Sequence, residues 1–116
     1  MSRIRHIAIC TADPDREARF YCEAFGLEET RRGEDFVGLS DGYLGVTLIK
    51  VDRDSPRRGL DHFGIHVENL EATLERLKRV APGVEIKKPD RAGTTSEYKV
   101  RDPDGNVFDI SESGWR

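Results

Sequence analysis

The stretch Leu60-Asp61-His62-Phe63-Gly64-Ile65-His66-Val67-Glu68 decides how the chain is read. Side chains alternate across a strand, so His62, Gly64 and His66 share one face while Phe63, Ile65 and Val67 take the other. One face is apolar and the other carries imidazoles. Near the N-terminus, Ile4-Arg5-His6-Ile7-Ala8-Ile9 repeats the pattern, with His6 aligning to His62, Ile7 to Phe63, Ala8 to Gly64 and Ile9 to Ile65. The chain reads as two copies of one unit.

At 116 residues there is room for one core but not for two independent ones. The two copies must therefore share it, which predicts a single domain 1–116 with a first module at 3–52, a linker at 53–59 and a second module at 60–112. The composition, 36% hydrophobic and 35% charged, is that of a well-solvated globular protein rather than a disordered one. No apolar run approaches the ~18 residues of a membrane span, and the N-terminus enters a strand pattern without a secretory leader, so a cytoplasmic location is expected. Cys10 and Cys22 form no close-spaced redox or metal motif and read as reduced thiols. The net charge is -3. Basic pairs such as Arg31-Arg32, Arg57-Arg58 and Lys87-Lys88 are interleaved with acids, and nothing points to nucleic acid.

In order, a strand at 4–10 leads to Asp13-Pro14, a helix start with the carboxylate as N-cap and proline at the first position. The helix at 14–24 places Ala18, Tyr21 and Phe25 along one side, and Gly26 ends it. Strands are predicted at 27–32, 35–40 and 44–51, with Asp41-Gly42 as a turn. The second unit repeats this βαβββ order. Its helix, capped by Glu68 or Asn69, has an apolar side of Leu70, Leu74, Leu77 and Val80 and stops at Pro82-Gly83. Strands follow at 84–88, 96–101 and 106–111, and Asp104-Gly105 is matched to Asp41-Gly42. Trp115 stands in the tail, packed on the body or on a second subunit, or exposed.

The predicted fold class is α+β: two tandem βαβββ modules forming a U-shaped mixed sheet, helices outside and a concave cleft inside. His6 and His62 have the parity that turns them into the cleft. In Val107-Phe108-Asp109-Ile110-Ser111, Phe108 and Ile110 go to the helix side and Asp109 to the cleft. A carboxylate amid apolar strand residues costs several kcal/mol, by order of magnitude, unless it is paired or binds a metal. Two imidazoles and one carboxylate from three strands constitute a metal site of the two-histidine, one-carboxylate type, suited to Fe(II), Zn or Mn. Asp109 has a plainer alternative in a salt bridge to Lys99 or Arg101. His66 faces the cleft two residues too far along to be a third histidine ligand, and Cys10 lies at the position that matches it in the first half.

These residues resemble the vicinal oxygen chelate superfamily of glyoxalase I, extradiol dioxygenases, methylmalonyl-CoA epimerase, fosfomycin-resistance thiol transferases and bleomycin-resistance proteins. The carriers are His6-Ile7-Ala8-Ile9 with Asp13-Pro14, then residues 20–27 (Phe-Tyr-Cys-Glu-Ala-Phe-Gly-Leu), His62-Phe63-Gly64-Ile65-His66-Val67, and residues 102–110 (Asp-Pro-Asp-Gly-Asn-Val-Phe-Asp-Ile). The resemblance implies metal ligands on the first and last strands of each half, here His6, Thr47, His62 and Asp109. A one-residue slip would put Val46 at the second of these positions. Glyoxalase-like chemistry implies an acid there, so three ligands resemble more closely the dioxygenase and fosfomycin-transferase branches, whose last ligand is usually Glu rather than Asp. The implied mechanism is bidentate chelation of two adjacent substrate oxygens on a divalent ion, Fe(II) first and Mn, Ni or Zn as alternatives, acting as Lewis acid. In a dioxygenase His66 and Tyr98 become the candidate acid/base groups. A thiol transferase would need a cationic clamp, for which residues 87–91 offer bases. The expected partner is a small-molecule substrate, with no nucleic acid and no membrane, in a homodimer. The alternative class is a metal-free ligand-sequestering protein of the bleomycin-resistance kind.

Overall fold

The computed structural model describes residues 1–89 and 97–113. The elements are β1 (Arg3–Thr11), α1 (Pro14–Phe25), β2 (Glu28–Arg32), β3 (Phe36–Ser40), β4 (Gly45–Lys50), β5 (Gly59–His66), α2 (Leu70–Val80), β6 (Ile86–Lys87), β7 (Tyr98–Arg101) and β8 (Val107–Ser111). They build one eight-stranded mixed sheet in the order β2-β3-β4-β1-β5-β8-β7-β6. Each half contributes four neighbouring strands, and the second half runs outward from the centre in the same internal order as the first. The two first strands, β1 and β5, pair antiparallel at the centre. Each also pairs in parallel with the last strand of its own half, β1 with β4 and β5 with β8.

α1 begins as its sequence dictates. Asp13 Oδ1 accepts from the Arg16 N–H at 3.1 Å, Pro14 occupies the first turn, and Gly26 closes the helix at φ 75, a left-handed conformation that only glycine adopts cheaply. The helix packs Ala18, with Tyr21 and Cys22, onto Val37, Leu39, Leu48, Ile9 and Val46 of the sheet. Phe25, expected on that side, is 68% exposed because it lies in the last turn, beyond the core contacts. Asn69 caps α2 through the Ala72 N–H. Leu70, Leu74 and Leu77 are half-buried, and Val80, expected among them, is exposed. The predicted strand 84–88 contracts to Ile86–Lys87, and β5 takes up Gly59 from the linker. Trp115 and the loop at 90–96 lie outside the described residues.

His6, Ala8 and Cys10 alternate with Ile9, so they occupy the face of β1 turned away from α1. They are nonetheless buried, as is Asp109. Since α1 packs on the opposite face, this burial comes from the sheet curling round on itself, the U shape that the repeat implies.

Candidate metal centre

The strand register sets the site. Across β1 and β5, His6 pairs with Gly64 and Ala8 with His62, so the two histidines sit diagonally on one face about the centre of the repeat. Their ring centroids are 5.4 Å apart. Asp109 of β8 pairs with Gly64 and so shares their face. One ligand atom from each of His6, His62 and Asp109 lies within 4.8 Å of the others. His62 Nε2 is 3.0 Å from Asp109 Oδ2, and two ligands on one ion with bonds of about 2.0–2.2 Å stand roughly 3 Å apart. The donor set fits a divalent ion.

The electrostatics divide the two imidazoles. Burial, followed by the neighbouring His62, holds His6 down at about 4, so it is neutral near pH 7 and its lone pair can bind. Burial also works against charge on His62, but its hydrogen bonds to Asp109 and Asp61 prevail and raise its pKa. For Asp109, burial favours the neutral acid, yet His62 and Lys99 overcome it and keep the carboxylate ionised. Lys99 Nζ donates to Asp109 Oδ1 at 2.7 Å, which leaves Oδ2 directed at His62. On the far side of His62, Nδ1 lies 2.7 Å from Asp61 Oδ2. A carboxylate on the second ring nitrogen is how ligand histidines are commonly oriented.

Asp61 escapes strict alternation. The β1–β5 register slips between Ala8 and Ile9 on one strand, opposite His62 and Leu60 on the other, and Asp61 is the residue left over. Such a bulge re-aims a side chain; here it brings Asp61 beside His62, with Arg57 completing the pair at 3.3 Å. A second slip leaves over Arg5, the residue before His6. The guanidinium of Arg5 instead donates to the Tyr43 carbonyl at 2.8 Å. Cys10 lies near Asp61; burial, then Asp61, pushes its thiol pKa up.

The fourth family position falls on Thr47. Thr47 pairs with Ala8 as Asp109 pairs with Gly64, and Ala8 and Gly64 are equivalent in the repeat. Val46 belongs to the opposite face, packed against the α1 core. Two expected residues are not brought to the cluster. His66 stands four residues from His62, about 13 Å along an extended strand, and its Nε2 is 2.9 Å from the Glu112 carbonyl. Tyr98 pairs with Ile110, whereas Lys99 pairs with Asp109, so the ring takes the opposite face of β7. Lys99, the alternative partner of Asp109, occupies that place in the site. Of the basic residues that could form a clamp, Lys87 and Lys88 are exposed, and Arg91 lies outside the described residues. Asp61 carries no sequence signal for the site, because it is placed by a bulge.

Residues 3–110 match the family model described as Glyoxalase/Bleomycin resistance protein/Dioxygenase superfamily. A probable chloroplastic lactoylglutathione lyase of Arabidopsis thaliana is 29% identical over 97% of this chain, which spans 36% of that relative's length. A probable lactoylglutathione lyase of Vibrio parahaemolyticus is 27% identical over 96% of this chain and 91% of its own. Among solved structures, an extradiol ring-cleaving dioxygenase from B. fuscum superposes with a TM-score of 0.74 at 16% identity, over 97% of this chain and 32% of that one. The paired βαβββ modules, the histidines on equivalent strands and the extent of the family match lead to one conclusion: this chain belongs to the glyoxalase/bleomycin resistance protein/dioxygenase superfamily.

Proposed function

We propose that the protein is a divalent-metal-dependent enzyme of this superfamily, with His6, His62 and Asp109 as ligands, acting on a small vicinally oxygenated molecule. The supporting observation is the convergence of three ligand atoms within 4.8 Å, from buried His6 and Asp109 and half-buried His62, beside a fourth position, Thr47, that supplies no strong ligand. Its ligand set is nearest to the extradiol-dioxygenase type, with Fe(II) as first choice and Mn, Ni or Zn as alternatives. When bound, the ion supplies Lewis acidity to two adjacent substrate oxygens. The chain's own residues do the rest: His6 stays neutral, Asp61 orients His62, and Lys99 holds one oxygen of Asp109 so that the other faces the ligands.

The lyase names of the curated relatives favour a second reading, glyoxalase-like lyase or isomerase chemistry. Thr47, where that chemistry calls for an acid, weighs against it. A homodimer in the cytoplasm is part of the proposal. Phe20, Phe25 and Leu60 leave large apolar surfaces uncovered, and no helix among the described residues is long and apolar enough to cross a membrane.

Elemental analysis of protein purified without chelator tests the centre. The expected result is near one metal per chain in the wild type and loss of it in both His6→Ala and Asp109→Ala. Oxygen uptake with vicinally oxygenated substrates, catechols among them, then separates the dioxygenase from the lyase. No metal, and no uptake of Fe(II), Mn(II), Ni(II) or Zn(II), would leave Asp109 as a salt-bridged core residue and shift the reading to ligand sequestration.

A further inference from the structure

The repeat allows the two halves of the site to be compared position by position. In the second half, one row of paired residues runs Gly64, Asp109, Lys99, Lys87 from β5 to β6. In the first half the matching row runs Ala8, Thr47, Gly38, Arg31 from β1 to β2. The second half thus holds an acid with its cation beside it. The first half holds a cation and lacks the acid.

Arg31 is placed over that position by several features together. The β2–β3 register slips between Glu29 and Arg31, which sets Arg31 opposite Gly38. Gly38 has no side chain, and a Cβ there would stand 3.4 Å from both Arg31 Cβ and Nε, so the arginine lies directly across it. The guanidinium stacks over Phe36 at 5.4 Å and reaches Thr47 Oγ1 at 3.4 Å.

We infer that the oxyanion missing from the first half is brought by the substrate: a carboxylate adjacent to a hydroxyl or keto oxygen, seated at Thr47 and paired with Arg31. A planar guanidinium presents parallel donors that match a carboxylate. The adjacent oxygen then lies toward the His6–His62–Asp109 cluster, which makes the substrate a 2-hydroxy or 2-oxo acid rather than a neutral diol. Arg31 is on this view the residue that determines specificity. The inference rests on the metal-centre reading for the second oxygen, but not for the anion pairing.

The test compares glycolate with glycolamide, which keeps the vicinal oxygens and removes the charge, by NMR titration of the zinc-loaded protein. Wild type should prefer glycolate, and Arg31→Gln should weaken glycolate roughly ten- to a hundredfold, the range for a hydrogen bond to a charged group. Glycolamide should lose far less than glycolate, and zinc content should stay unchanged. Gly38→Val, which keeps the charge but fills the path of the arginine, should move glycolate in the same direction. Equal losses for both probes, or none, with zinc retained would overturn the assignment. Tighter binding of hydroxymethylphosphonate with the same Arg31 dependence would overturn the carboxylate in favour of a phosphonate. If the wild type retains no zinc, the metal reading fails separately. The same titration on chelator-treated protein then decides the anion site, upheld by an Arg31-dependent preference for glycolate and overturned without one.

Discussion

Asp61 shows how one side chain outside the ligand set controls the site. Its carboxylate, 2.7 Å from His62 Nδ1, keeps the imidazole oriented and raises its basicity, and such partners commonly account for about 10- to 100-fold in metal affinity. Asp61→Asn should therefore weaken zinc binding by roughly that factor while leaving the stoichiometry at saturation unchanged, as read by competition with a colorimetric chelator. Unchanged affinity would show that the bulge packs Asp61 against Arg57 for structure alone. The same residue marks the limit of what alternation reveals. His6, His62 and Asp109 were legible because the residues that follow each histidine, and those that flank Asp109, alternate regularly with apolar neighbours and fix its parity. Simple parity assigns Asp61 to the face of Phe63, and only the register slip turns it back. Arg31 is hidden in the same way by the slip in β2. The parity of Tyr98 could not be read from its own strand, because it depends on pairing with Ile110.

Among the elements, the turn before each last strand positions the site from a distance. Asp102 Oδ1 accepts from the Asp104 and Asn106 N–H groups, and Oδ2 from the Asn106 side chain, immediately before the strand that carries Asp109. In the first half Asp41 does the same for Tyr43 and Leu44. The sequence match of Asp104-Gly105 to Asp41-Gly42 identified the turn, but the structural counterpart of Asp41 is Asp102, in a longer loop. Bonds from Asn106, side chain first, hold the Asp102 carboxyl below its usual range. A folded-state pKa below the unfolded one, about 3.9, stabilises the fold above that value and loses the effect as pH falls through the folded pKa. The melting temperature of Asp102→Ala should accordingly lie below wild type at neutral pH, and the gap should close under acid. A gap constant from pH 7 to 2 would show that the charge contributes nothing. The strand and helix order was legible because both helices carry caps and both hairpins carry Asp-Gly turns. The fate of Phe25 and Val80 was not, since helical spacing gives a direction but not where the sheet beneath ends.

Across the whole molecule, the three ligands come from positions 6, 62 and 109 and from both halves of the repeat. Residues so distant in sequence are brought together only when β1, β5 and β8 are all in place, so the unfolded chain offers no comparable site. An ion that binds the folded state alone stabilises it by about 2.7 kcal/mol at a hundred times its dissociation constant. For a domain of this size that corresponds to a rise of roughly 10 °C in melting temperature. Part of this gain is offset, because Asp109 must give up its hydrogen bond to His62 when its oxygen turns to the ion. Stripping the metal with chelator and adding it back should lower and restore the melting temperature by several degrees. His6→Ala should abolish the response without removing the salt bridge to Lys99, which lies in the other half of the sheet. The variant separates two ways of holding the halves together. If chelator leaves the wild type unmoved while His6→Ala still destabilises it, the halves are joined by packing at the β1–β5 seam and the cluster is not a metal clasp. If wild type responds and His6→Ala does not, the ion couples the modules, and the Asp109–Lys99 pair is what keeps the carboxylate charged and in place for it.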